Sequence, residues 1–106
     1  MNYVTLGKTG LKAAVVSFGG IPIQRADGAN TKAVVDKLEE YGINYIDTAR
    51  GYTVSEEYLG AALEGRRDKF ILATKSMSRD AASMAADVET SLRNLRTGYI
   101  LSLIHI

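Results

Sequence analysis

The chain has 106 residues, 46% hydrophobic and 24% charged, with a formal net charge of +1. That length holds one small domain and not two, and the near-neutral balance argues against a nucleic-acid partner, which calls for a basic surface. With no cysteine, the chain has no disulfide framework, thiolate zinc site or thiol nucleophile; no apolar run reaches membrane-span length and no signal-peptide pattern opens the chain, so a cytoplasmic protein is expected.

The first two apolar runs, Tyr3 to Leu6 and Ala13 to Phe18, flank the turn-rich stretch GKTG and predict a β-hairpin. Gly19-Gly20 end the second run, and IPIQRADGAN reads as a loop with the only proline, Pro22. Asn30 or Thr31 is the expected cap of a helix whose apolar face carries Val34, Val35 and Leu38 and which ends near Tyr41-Gly42. A strand follows from Asn44 to Asp47. The next helix is expected to start near Thr53, because Thr53 and Glu56 have the spacing of a capping box. Its buried stripe is Leu59, Ala62 and Leu63. The run FILATK, Phe70 to Lys75, is continuous enough for a strand covered on both faces. A third helix, from about Asp80 to Arg96, places Met84, Val88, Leu92 and Leu95 on one face. YILSLIHI predicts a fourth strand.

Strand and helix units in close succession imply a parallel sheet with helices against it. An open dinucleotide-binding sheet would carry G-x-G-x-x-G after its first strand, and SFGGIPIQ does not. The barrel is therefore favoured. A complete one takes about 250 residues, so the expectation is a partial (β/α)8 TIM barrel: an N-terminal hairpin plus the first three to four βα units.

Asp47 and Lys75 end consecutive strands, and Tyr52 lies in the loop after the first of them. The C-terminal edge of such a sheet is where catalytic groups collect. A phenol beside an ammonium is suited to proton donation, since the positive charge favours the phenolate that remains. Asp47 would hold the ammonium in place. Each residue also has a bland reading, as a turn cap, a surface aromatic or a solvated strand end; the combination at this spacing favours the functional one.

These residues carry a resemblance. LGKTGLK, SFGGIPI, GINYIDTARGY, SEEYLGAALEGRRDKFILATK and SLRNLRTGYI together resemble the start of an aldo-keto reductase, over nearly all of Leu6 to Ile100. The resemblance implies a barrel closed at its bottom by the hairpin, and reduction of aldehydes or ketones by NADPH, with NADH as the alternative carrier. It implies Tyr52 as proton donor, tuned by Lys75 and Asp47, and no metal. It implies that the loop at Gly20 and Ile21, with Asp47, approaches the nicotinamide end of the cofactor. Thr53 departs from the glycine usual after that tyrosine. The FGGIPIQR stretch is also similar to a bacterial and archaeal branch that often carries a C-terminal iron–sulfur segment; nothing in these residues supports a cluster, and none is carried over.

Residues 1–100 are thus expected to be the N-terminal part of such a barrel, inactive alone, with a small carbonyl compound as substrate and no sign of the oligomeric state. After Ile100 the resemblance fades. His105 falls one residue before the place of the family's strand-end histidine, and a one-residue slip turns a strand side chain to the other face. LSLIHI is what CTG-TCT-CTT-ATA-CAC-ATC encodes, a transposon-end sequence, so residues 101–106 are expected to be a non-native read-through tail and His105 is left out of the catalytic set. Two further readings remain. One is a non-enzymatic cofactor-binding protein of the same fold, such as a potassium-channel auxiliary subunit. The other is a barrel enzyme using Lys75 as a Schiff-base amine.

Overall fold

A computed structural model of the chain describes residues 1–105. Strands β1 (Tyr3–Thr5) and β2 (Lys12–Ala14) form the antiparallel hairpin, with Tyr3 opposite Ala14 and Thr5 opposite Lys12. Its second arm is shorter than the apolar run suggested. The hairpin's last tie is Val15 N–H to Asn2 O at 2.9 Å, and Phe18–Gly19 forms a separate strand, β3, in the parallel sheet. One valine-rich run thus serves two sheets, and Val15 and Val16 are exposed where the chain changes partners. Composition marks such residues as strand formers but does not say which partner they take.

The hairpin docks beside the start of the next sheet strand. The Asn44 side chain acts there like a peptide group: its Oδ1 accepts Ala14 N–H at 2.8 Å and its Nδ2 donates to Lys12 O at 2.8 Å. The Tyr3 hydroxyl donates to Gly42 O at 2.8 Å.

The main sheet is wholly parallel, in the order β3, β4 (Tyr45–Asp47), β5 (Ile71–Ser76), β6 (Ser102–His105). Strand order follows chain order without reversal. Since parallel crossovers are right-handed, every connecting helix then falls on the same face. A doubly wound sheet would reverse its order at a switch point. This one does not, and it has the progression of a barrel wall.

Helix α1 (Gly28–Tyr41) is capped by Asp27, which accepts from Asn30 N–H at 2.7 Å, not by Asn30 or Thr31. Thr31 is buried, and its hydroxyl turns back to Asp27 O. The helix ends as expected at Gly42, in left-handed conformation at φ 75°, with Ile43 N–H bonded to Leu38 O. Helices α2 (Ser55–Ala62) and α3 (Ala81–Asn94) complete the layer, α3 capped by Asp80. The core joins Val35 and Leu38 of α1, Leu59 of α2, Ile46 and Leu72 of the sheet and Leu95 after α3. Each fully buried side chain of this size is worth about 1.5–3 kcal/mol. Of the predicted α3 stripe, Leu95 is buried, and Met84, Val88 and Leu92 are half-buried. Among the described residues no helix is long and apolar enough to cross a membrane.

Along β5 and β6 the register runs without a bulge from Ala73 opposite Ser102 to Ser76 opposite His105, which sets Lys75 opposite Ile104. The reading of the His105 side chain lies outside the described residues' side chains, and Ile106 lies outside the described residues.

Candidate active site

Period-two alternation builds the site. Ile46, Leu72, Thr74 and Ser76 are buried toward the helices. Asp47 and Ala73 are register partners and share the opposite face, and Lys75, two residues beyond Ala73, shares it too. This brings a carboxylate and an ammonium together at the C-terminal edge. Lys75 Nζ donates to Asp47 Oδ2 at 2.6 Å and to Thr48 O at 2.8 Å. The lysine side chain is 15% exposed and the aspartate 38%. The Lys75 ammonium also stands 4.9 Å from the centroid of the Tyr52 ring. The three sequence-predicted groups are therefore brought together.

Burial pulls the Lys75 pKa down, but the hydrogen bond to Asp47, with a further contribution from Tyr52, outweighs it and leaves the value above the ordinary 10.5. Lys75 is thus an ammonium throughout the neutral range. A raised value means that its pairing energy is fully present below pH 10.5 and is lost as the pH climbs through the folded value above it.

The loop that carries Tyr52 is held on both sides. Thr48 N–H reaches Ala73 O at 2.8 Å and Arg50 N–H reaches Lys75 O at 3.0 Å, so sheet-like pairing continues past β4. A turn follows, with Tyr52 N–H on Ala49 O and Ser55 N–H on Tyr52 O.

Gly20 and Ile21 sit at the end of β3, where a 3₁₀ turn (Ile21–Arg25) begins. Gly20 is buried and its peptide groups are engaged. Its N–H reaches Asp47 O at 2.7 Å, and its carbonyl accepts Ser55 Oγ at 3.0 Å and Ile23 N–H at 3.1 Å. A Cβ here would stand 2.9 Å from Asp47 O, so only glycine lets the two strand ends meet. Ile21 is 55% exposed, its side chain open.

The predicted capping box does not form. The N-cap of α2 is Val54, without a side-chain cap bond, and Thr53 stands at φ 46° in the left-handed region. Glu56 is turned inward instead. That φ is costly for a β-branched residue, by about 1–2 kcal/mol, and the side chain returns only a 3.3 Å bond to Gln24. Thr53→Gly removes this strain but loosens the unfolded chain by about 0.5–1 kcal/mol. The net expectation is a modest rise in the thermal midpoint of the protein; a fall would mean the Thr53–Gln24 contact outweighs the strain.

Glu56 is the residue that sequence reasoning missed. Its side chain is 1% exposed. Its Oε2 accepts Thr74 Oγ1 and Ser91 Oγ, each at 2.7 Å, and its Oε1 accepts Asn94 Nδ2 at 3.3 Å and faces Arg50 Nη1 at 3.5 Å. Nearby, Asp87 accepts the hydroxyls of Ser76 and Ser78. Those bonds, with the Arg50 guanidinium, hold its carboxyl below the usual range. The signal was there to find. Thr74 interrupts an apolar run and Ser91 lies beside the α3 stripe, and a polar group in such a place needs a partner.

An all-parallel sheet in sequential order, with helices on one face and an ion pair beside a phenol at its C-terminal edge, gives the chain the build of an α/β barrel wall. The sequence profile of the Aldo/keto reductase family matches residues 15–106, and the chain belongs to that family. It is 34% identical over 110 residues to L-galactose dehydrogenase of Arabidopsis thaliana, covering 90% of this chain and 34% of that protein. It is 32% identical over 82 residues to the Arabidopsis thaliana protein named "Probable voltage-gated potassium channel subunit beta", covering 71% of this chain and 25% of that one. Among solved structures, the holo form of an aldo-keto reductase from Bacillus halodurans superposes with a TM-score of 0.87 at 34% identity, over 99% of this chain and 40% of that chain. The chain thus spans about a quarter to a third of the length of these curated relatives.

Proposed function

We propose that residues 1–100 are the N-terminal part of a cytoplasmic NAD(P)H-dependent reductase of aldehydes or ketones and supply its proton-donating group. The observation that carries this reading is the Lys75 ammonium, fixed between Asp47 and Thr48 and 4.9 Å from the Tyr52 ring. The donor set beside Lys75 suits the nicotinamide end of such a cofactor. Asp47 spends Oδ2 on Lys75, and among the described residues its Oδ1 remains open on a partly exposed side chain. An open carboxylate oxygen accepts amide or sugar hydroxyl donors, the groups that a nicotinamide riboside carries. The exposed Ile21 side chain offers an apolar edge beside it, set there by Gly20. The residues present therefore fit that end of the cofactor, with NADPH the favoured carrier.

When bound, the cofactor supplies the hydride that the carbonyl carbon receives. Tyr52 hydrogen-bonds the carbonyl oxygen and gives it a proton as negative charge develops there. Lys75, a full positive charge beside the ring, stabilises the phenolate left behind until solvent restores its proton. Asp47 keeps the ammonium aimed and balances its charge. The product is the alcohol.

The test is carbonyl-dependent oxidation of NADPH by the whole protein, with a panel of small aldehydes and ketones. Turnover is expected. Tight NADPH binding without turnover would favour the cofactor-binding, channel-auxiliary kind of protein. For residues 101–106 the proposal is a read-through tail, although residues 102–105 do pair with β5. Genomic sequence past the codon for Ile100 should continue into a strand with an aspartate and a terminal histidine; a native stop after Ile106 would contradict it.

A further inference from the structure

Resting on that proposed reaction, we infer that Glu56 is a positioning residue that fixes both Tyr52 and Lys75 from behind the sheet. A buried carboxylate is costly to desolvate, and a well-packed apolar residue commonly serves stability equally well. Its partners here point to a second task. Arg50 and Glu56 flank the turn that carries Tyr52, and their ion pair at 3.5 Å closes that turn from the helix side. Arg50 N–H also bonds the Lys75 carbonyl at 3.0 Å. Thr74, which donates to Glu56 at 2.7 Å, immediately precedes Lys75. Ser91 and Asn94 anchor the same carboxylate to α3. The guanidinium of Arg50 also lies 3.8 Å from Asp87, whose carboxylate holds Ser76 on the other side of Lys75. One buried charge thus links the phenol's turn and the lysine's strand to a common support, without reaching the face where the substrate would stand.

Glu56→Gln keeps the shape and loses the charge that holds Arg50. In the whole protein, kcat should fall about ten- to a hundredfold, as for small displacements of reacting groups. KM for the carbonyl and the affinity for NADPH should stay within about twofold, since uniform binding is not touched. The solvent deuterium isotope effect on kcat should rise, because the impaired step is proton donation; a merely structural role would not move it. If Glu56→Gln yields no folded protein, Thr74→Val removes one donor at constant volume, and a smaller change in the same direction is expected. An unchanged kcat and isotope effect in the folded variant would overturn the inference, as would activity lost only in proportion to folded protein with the isotope effect unchanged. Tyr52→Phe is measured alongside. Full activity in that variant would remove the proposed reaction itself, and this inference with it, whereas inactive Tyr52→Phe with wild-type Glu56→Gln would sink this inference alone.

Discussion

Tyr52→Phe in the whole protein should lower kcat for carbonyl reduction by about 10²–10⁴-fold, the range that general acid catalysis contributes. The substitution deletes one oxygen and keeps the ring, so the 4.9 Å contact with the Lys75 ammonium and the loop's backbone ties to Ala49 and Ser55 persist. Cofactor affinity, which the proposal assigns to Asp47, Gly20 and Ile21, should therefore stay within about threefold. Steady-state kinetics with fluorescence titration of NADPH separates the two effects. A variant with near wild-type kcat would take the tyrosine out of the mechanism.

The largest effect on stability is expected from Gly60→Ala. Gly60 is where α2 meets the end of α3, and a Cβ there would stand 2.1 Å from Asn94 O and 2.8 Å from Leu95 Cα. Both atoms are backbone, so no rotamer change relieves the clash and the helices must separate. Alanine gains about 1 kcal/mol in helix propensity. Overpacking costs about 1–3 kcal/mol, here at the upper end, and parting the helices also disturbs the Glu56 bonds to Ser91 and Asn94. The net should be a loss of about 2 kcal/mol or more in urea unfolding. Gly28→Ala, where nothing lies within 4 Å, is the control and should be neutral or slightly stabilising. Equal midpoints for Gly60→Ala and the parent would mean that the two helices do not meet at this point.

What the sequence made legible follows from the range of the forces involved. Alternation along a strand is local, so Asp47 and Lys75 could be placed on one edge before any coordinates, and the sheet then had to pair them. The Leu59, Ala62 and Leu63 stripe was equally local and is buried. Strand β5 was found within one residue at each end, Ile71–Ser76 against Phe70 to Lys75. Choices between competing partners were not legible. Thr53 and Glu56 have the spacing of a cap, but Glu56 meets stronger donors on β5 and α3, residues 18 to 38 positions away. Val15 and Val16 read as a continuing hairpin arm, yet the chain leaves the hairpin to start β3. In α1, Asp27 took the capping position because its carboxylate reaches Asn30 N–H, while Thr31 turned into the core. Local pattern ranked these options by propensity; long-range contacts decided them.

The central claim is that a fixed ammonium drives proton donation by Tyr52. Its most direct test is Lys75→Met in the whole protein, measured as a single-turnover rate of carbonyl reduction with NADPH saturating. Methionine fills the space of the lysine stem but withdraws the charge held 2.6 Å from Asp47. The account predicts a rate lowered at least about a hundredfold, as for loss of a preorganised charge at a reacting centre, with folded protein and bound NADPH retained. A single-turnover rate within about twofold of the parent would contradict it.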